Sequence, residues 1–287
     1  MTVGVVTLVG IDLNPQDLFD GAVTGLVYGF LAIGVILLYR ASGIVNFAYG
    51  AIGSLAAVLV AKLCLDWGWP YAPAFLVGVA ASALISGAIE MTVVRRLFDA
   101  ARITLFVATI GVAQLVLVLV INVPRVEGFG AAFPTPFTGT WQLSGGITLY
   151  ASQVVALVVI PLVAVGLGWF LNRSIWGIAI TATAANPDAS RLAGLSPRRV
   201  STLVWVLVGA LAGLTSVLAA PLRSTPVSNL APTGGVQLLV IALAVALLAR
   251  MRSMLVAVVA GVAGYLLHLF ARLKDQLVEV QGDEPPP

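Results

Sequence analysis

Apolar runs follow one another almost end to end along this chain, with short polar breaks between them. A helix crossing about 30 Å of hydrocarbon needs roughly 20 residues, and its backbone polar groups must bond within the segment. Eight runs are long enough: Phe19–Tyr39, Ile44–Leu63, Tyr71–Val94, Thr104–Ile121, Tyr150–Leu171, Thr202–Pro221, Pro232–Ala249 and Ser253–Ala271. The last two are short and closely joined, so they also fit a re-entrant hairpin. The expectation is an all-α polytopic transmembrane bundle of about eight helices, one membrane domain over residues 1–287 with a polar tail at 272–287.

The polar breaks set an orientation. With the N-terminus outside, ten of the fifteen Lys and Arg fall on the inner side: Arg40, Arg95, Arg96, Arg102, Arg173, Arg191, Arg198, Arg199, Arg250 and Arg252. That excess favours N-out by the positive-inside rule. Asn172–Ser201 is then the longest inner loop, and Asn122–Leu149, rich in Pro and Gly, the longest outer one.

Composition removes the soluble alternatives. Apolar residues make up 60% of the chain and charged residues 9%, against roughly 45–50% and 25% in soluble domains. The net charge of +3 comes from arginines between the apolar runs. That pattern fits contact with membrane lipid and not a nucleic-acid surface. Cys64, the single cysteine, has no disulfide partner and reads as filler in a helix. Met1–Ile11 is apolar but has no basic leader and no small-residue cleavage site, so it does not read as a secretory signal.

Little in the runs suggests catalysis. No phosphate-binding Gly-x-x-x-x-Gly-Lys-Ser/Thr loop is present, and the only lysines are Lys62 and Lys274. One histidine, His268, has no evident acid partner for a hydrolytic triad and is expected to bond a neighbouring helix. Glu90 is taken as essentially the one carboxylate within the spans and, five residues before Arg95, reads as half of an interfacial ion pair. Without an acid at mid-membrane, energy for uphill transport has to come from another polypeptide. No metal site or cofactor is expected.

The uncharged polar groups in the spans are Asn46, Gln114, Gln153, Gln237 and His268, each able to join helices or line a path. The expected pathway residues are, in falling order, Asn46, Tyr49 and Gln114. Gly21, Gly25 and Gly29 recur every fourth residue, as do Gly209 and Gly213, which reads first as close helix packing. Pro161 and Gly50–Gly53 mark places where a helix could break beside a cavity.

The run Gly43-Ile44-Val45-Asn46-Phe47-Ala48-Tyr49-Gly50, after Tyr39 and Arg40, resembles the signature of branched-chain amino acid ABC transporter permeases. The resemblance continues through Glu90–Leu97, Gly177-Ile178-Ala179, Asn186-Pro187-Asp188 with Arg191 and Gly194, and the helix from Trp205 to Pro221. It covers roughly Asp17 to Phe270. It implies an inner-membrane permease of an ABC importer, not an enzyme. An extracytoplasmic solute-binding protein would deliver a hydrophobic amino acid to two paired permease subunits, and separate cytoplasmic ATPases would use the ATP. Asn172–Ser201 would hold the coupling loop, with Asn186, Asp188, Arg191 and Gly194 as its key positions. Asn186-Pro187-Asp188 looks like a helix N-cap, and Ala189–Leu195 like a short helix ending at Gly194.

Two departures stand out. Thr181 occupies a position where the family usually has Arg, Ala249–Ser253 lacks the glycine-rich run usual between the last paired segments, and the family's usual final helix beyond that pair is absent. Related permeases for urea, amides, sugars or nucleosides, and a non-transporting membrane scaffold, are the other readings.

Overall fold

The computed structural model describes residues 6–8, 11–98, 100–122, 132–143, 146–222, 234–251, 254 and 256–267. His268, Arg252, Ser253 and the 272–287 tail lie outside the described residues, as does the side chain of Gln237. A short antiparallel ribbon, β1 (Val6–Leu8) with β2 (Ile11–Leu13), precedes the first helix.

The helices are α1 (Pro15–Ser42), α2 (Tyr49–Leu65), α3 (Tyr71–Thr92), α4 (Arg102–Asn122), α5 (Ala151–Arg173), α6 (Ile175–Ala185), α7 (Pro187–Leu192), α8 (Pro197–Leu222), α9 (Gly234–Leu248) and α10 (Val256–Leu267). A 3-10 turn, Val94–Leu97, follows α3. A second ribbon, β3 (Thr140–Gln142) with β4 (Thr148–Tyr150), stands between α4 and α5.

Among the described residues, five helical segments are long and apolar enough to cross a membrane: Pro15–Ser42, Tyr71–Leu97, Ile103–Ile121, Ala151–Arg173 and Pro197–Leu222. The other expected spans are shorter. The second begins at Tyr49 and not near Ile44, because Gly43 ends α1 in the left-handed region and five residues of break follow. The last two are α9, 15 residues long, and the shorter α10, joined through Arg250 and Met251, both at positive φ.

Helix α2 forms the centre, packed by α3, α4, α8 and α9. Thirteen of its 17 residues are buried, so its apolar character is matched by protein and not by lipid. Close approach explains the glycines. A Cβ at Gly25 would stand 2.6 Å from the Val262 Cα of α10, and one at Gly29 2.7 Å from the Val258 Cα. On α8, a Cβ at Gly209 would meet the Ser82 carbonyl oxygen at 2.6 Å, and one at Gly213 the Ala56 Cβ at 3.1 Å. The four-residue spacing is thus used for close helix packing, as small residues are between membrane helices.

Candidate coupling and translocation site

Several chain segments converge at one end of the bundle. The Gly43 N–H closes α1 on the Tyr39 carbonyl at 2.7 Å. Asn46 then folds back on itself: its Oδ1 accepts the Ala48 N–H at 2.9 Å, an Asx turn that starts α2. Asn46 is buried, and its Nδ2 has no hydrogen-bond partner among the described residues. Leaving such a donor bare costs about 1–3 kcal/mol.

Three residues on, Tyr49 donates its hydroxyl to the Leu31 carbonyl at 3.1 Å, against the flat flank that Gly34 gives α1. Phe47 meets the Phe106 ring of α4 edge-on, with centroids 4.3 Å apart. The break between α1 and α2 is therefore sealed against α1 and α4.

Beside this break lies a cleft of about 470 Å³, walled by the end of α1 (Leu38–Ile44), the stretch after α3, and the start of α8 (Val200–Trp205), with Thr183 and Pro187 at its rim. A smaller cleft of about 130 Å³ adjoins Arg40, Thr181 and Met254. Thr181 does not reach outward as an arginine could, for its hydroxyl donates to the Gly177 carbonyl within α6 at 3.0 Å.

The expected inner loop is largely helical. Ser174 caps α6 by accepting the Gly177 N–H at 2.9 Å, and Gly177 lies directly on the Leu171 backbone, where a Cβ would not fit. That glycine allows the sharp reversal from α5 to α6. α7 starts at Pro187, two residues earlier than expected, because the Asn186 Oδ1 accepts from both Asp188 N at 3.1 Å and Ala189 N at 3.0 Å.

The end of α7 is just as well defined. Gly194 has φ +82, its N–H donates to the Arg191 carbonyl at 3.0 Å, and the Leu195 N–H donates to the Ser190 carbonyl at 2.9 Å. These bonds, with the glycine in the left-handed region, satisfy the last carbonyls of the helix. Asp188 and Arg191 pair at 2.9 Å on its exposed side, and Leu192 is 92% exposed. Ser190 alone in α7 is buried. α7 thus projects from the bundle while held rigid by its own caps.

The sequence-predicted residues do not all meet. Asn46 and Tyr49 share one break, and Asn186, Asp188, Arg191 and Gly194 share one short helix at the same end. Gln114 stands apart, exposed on α4. Glu90 forms the expected ion pair, with Arg95 Nη2 donating to its Oε2 at 3.0 Å, but it is buried at 1% exposure, and the Thr202 hydroxyl donates to the same oxygen at 2.7 Å.

The first span also holds a carboxylate, Asp20, so Glu90 does not stand alone. Asp20 Oδ1 accepts from Gln16 Nε2 at 2.8 Å and from Gln153 Nε2 at 2.6 Å. Gln16 also exchanges bonds with the backbone of Thr148, tying β4 to α1. The sequence signal was present, a carboxylate and an amide one turn apart at the head of an apolar run.

Comparison with known proteins decides the lineage of this arrangement. The profile described as "Branched-chain amino acid transport system / permease component" matches residues 18–279. The chain belongs to that family. Like its relatives it is a permease subunit of an ABC importer, not an enzyme, and a multi-pass membrane protein.

Among these relatives, the high-affinity branched-chain amino acid permease LivH of Escherichia coli K12 is 30% identical over 216 residues, covering 71% of this chain and 69% of its own. BraD of Pseudomonas aeruginosa, another branched-chain amino acid permease, is 28% identical over 213 residues, with the same coverage of 71% and 69%. The fructose import permease FrcC of Rhizobium meliloti is 26% identical over 215 residues, covering 73% of this chain and 56% of its own. No solved structure matches the chain. In this family importers work with an ATPase and a binding protein.

Proposed function

We propose that this permease carries a branched-chain or similar hydrophobic amino acid inward, and that α7 is where a separate ATPase docks and drives it. The observation that carries the docking assignment is a short helix capped at both ends and exposed on all but one residue, beside the break that holds Asn46 and Tyr49. A rigid projection transmits a push, whereas a floppy loop absorbs it. Asn186, Asp188, Arg191 and Gly194 build the projection, and the walls of the neighbouring cleft would move with it.

Support for the solute class comes from LivH and BraD, named for branched-chain amino acids. Asn46 and Tyr49 are assigned to the pathway, because the bare Asn46 amide leaves a hydrogen-bond donor for a second conformation or a passing solute. Gln114 is assigned to it from the other side of the α4 wall. No cofactor is assigned to this chain, with ATP used by the partner. The orientation is N-terminus outside in a bacterial inner membrane, which gathers Arg40, Arg95, Arg96, Arg191, Arg198 and Arg199 on the α7 side.

Co-purification of the tagged chain from its native membrane is the test. Recovery of an ATPase, a second permease and a solute-binding protein is expected, with leucine uptake lost in Asp188→Ala and Gly194→Val variants that still assemble. Unchanged uptake in both variants would refute the docking role of α7. The likeness to FrcC favours one second reading, sugar import, which ATPase stimulation by a sugar and not by leucine would establish.

A further inference from the structure

The cleft beside the α1–α2 break has the size of a small-molecule site, about 470 Å³ against roughly 300–1,000 Å³ for ligand pockets. Leu38, Ile44, Val94, Phe98, Leu105 and Val204 make its wall largely apolar. Trp205 lines it too and is 0% exposed. Its indole Nε1 is buried and has no hydrogen-bond partner among the described residues.

An indole N–H donates and does not accept, so a buried one without a partner carries a penalty that an acceptor entering the cleft removes. The Ser86 hydroxyl donates to the Trp205 carbonyl at 2.6 Å, which fixes α8 against α3 at that residue. Two hydroxyls in the wall are engaged within their own helices, Ser42 donating to the Leu38 carbonyl at 2.8 Å and Thr183 to the Ala179 carbonyl at 2.8 Å. The Trp205 N–H is the donor left over.

The side-chain charge of the cleft has one sign. Arg40 lines it, Pro197, Val200 and Ser201 bring in the N-terminal turn of α8, and no lining residue is Asp or Glu. A guanidinium and a helix N-terminus both favour an anion. A carboxylate on a branched aliphatic chain answers each feature: its oxygens suit the indole N–H and the start of α8, and its methyl groups suit the wall.

We propose that this cleft is a binding site, open to the inner side, for a branched aliphatic carboxylate, with Trp205 Nε1 as its hydrogen-bond donor and Arg40 as the charge at its rim. The transported amino acid and the 2-oxo acid left by removal of its amino group share that chemistry. Thr183 and Pro187 stand at the opposite rim, so an occupant bridges the end of α1 to the segment that carries α7. A ligand that fits one position of α7 better than another biases the coupling helix by that difference in affinity. Occupancy from inside therefore slows import. This deepens the amino-acid importer reading and rests on it for the role of α7 and the N-out orientation.

Binding to the purified chain alone, in detergent, is the first measurement, with radiolabelled leucine as the probe. Unlabelled leucine or 4-methyl-2-oxopentanoate should displace it, whichever of the two binds more tightly identifying the occupant, whereas 3-methylbutan-1-amine, which lacks the carboxylate, should not. Trp205→Phe keeps an aromatic ring without the donor and should weaken binding about tenfold. Ser201→Leu fills the cleft from its wall and should do the same, so a folding defect in the first variant does not hide the site. In proteoliposomes of the whole importer, leucine trapped inside should slow uptake, and both variants should raise the internal concentration needed for half-inhibition by the factor seen in binding.

Displacement by the amine as good as by the acid, binding unchanged in both variants, or uptake indifferent to saturating internal leucine overturns the proposal. The binding measurement needs no ATPase. Leucine import without binding to the isolated chain removes the cleft site and leaves the importer reading, and carboxylate binding in a complex that imports only sugar does the reverse.

Discussion

Thr202, near the start of α8, donates its hydroxyl to the Glu90 carboxylate near the end of α3 at 2.7 Å, while Arg95 Nη2 contacts both, Glu90 at 3.0 Å and the Thr202 oxygen at 2.6 Å. Two long helices are thereby locked where α8 emerges from the α7 segment. Removing one partner of a buried pair leaves a charge without compensation, at about 3–5 kcal/mol, whereas losing one neutral hydrogen bond costs about 1 kcal/mol. Arg95 is partly exposed and water can screen its charge, so Arg95→Met should cost near the lower figure, and Thr202→Val less. Thermal unfolding in detergent checks the order; a larger loss from Thr202→Val would contradict it.

The α1–α10 contact should be intolerant of any side chain. Gly25→Val and Gly29→Val would drive a branched group into the backbone of Val262 or Val258. Each is expected to destabilise the bundle by about 1–3 kcal/mol, the usual cost of overpacking. Gly166→Ala, with open space around it, should be neutral or slightly stabilising. Melting temperatures of the purified variants decide this, and an intact Gly25→Val would show that α10 packs elsewhere.

The α7 caps predict a graded response. Asn186→Ala removes the acceptor for two backbone N–H groups, at about 1 kcal/mol. Gly194→Val adds a β-branched residue at φ +82, at about 1–3 kcal/mol. Both losses fall on α7 and spare the membrane core. Solute-stimulated ATP hydrolysis in the reconstituted complex should drop while the melting temperature holds, and a parallel fall in both would mean that α7 props up the bundle.

At the opposite end, Asp20 should hold the β3–β4 ribbon through Gln16. Asp20→Leu leaves the amides of Gln16 and Gln153 without their shared acceptor. Hydrogen exchange over residues 140–150 is expected to speed up, with α2 and α8 unaffected. Unchanged exchange in the ribbon would show that its own ladder is enough.

Much of this was legible in the residues, for reasons of length and chemistry. Apolar runs of about twenty residues announced α1, α3, α4, α5 and α8, since each has to satisfy its backbone internally. The α7 cap could be read because Asn-Pro-Asp and a later glycine are local signals. Hydropathy could not show that Tyr49–Leu65 is wrapped by protein, because lipid and neighbouring helices select the same side chains. Nor could it show α6 as a separate helix, since its reversal depends on Gly177 touching the Leu171 backbone, a contact made only in three dimensions. The Glu90–Arg95 pair was legible from their five-residue spacing; the Thr202 hydroxyl that shares its carboxylate was not, lying more than a hundred residues away.

The enclosure of α2 bears on how the chain is made. Synthesis proceeds from the N-terminus, so Tyr49–Leu65 leaves the ribosome and enters the bilayer long before residues 197–222 exist. During that interval the small, polar face of Gly53 and Ser54, which in the finished protein is enclosed by other helices, has only acyl chains or the insertion machinery for company. A helix enclosed by α3, α4, α8 and α9 in the finished protein therefore begins as a lipid-facing one, and its 17 residues are shorter than a comfortable crossing until α8 arrives to take the lipid's place.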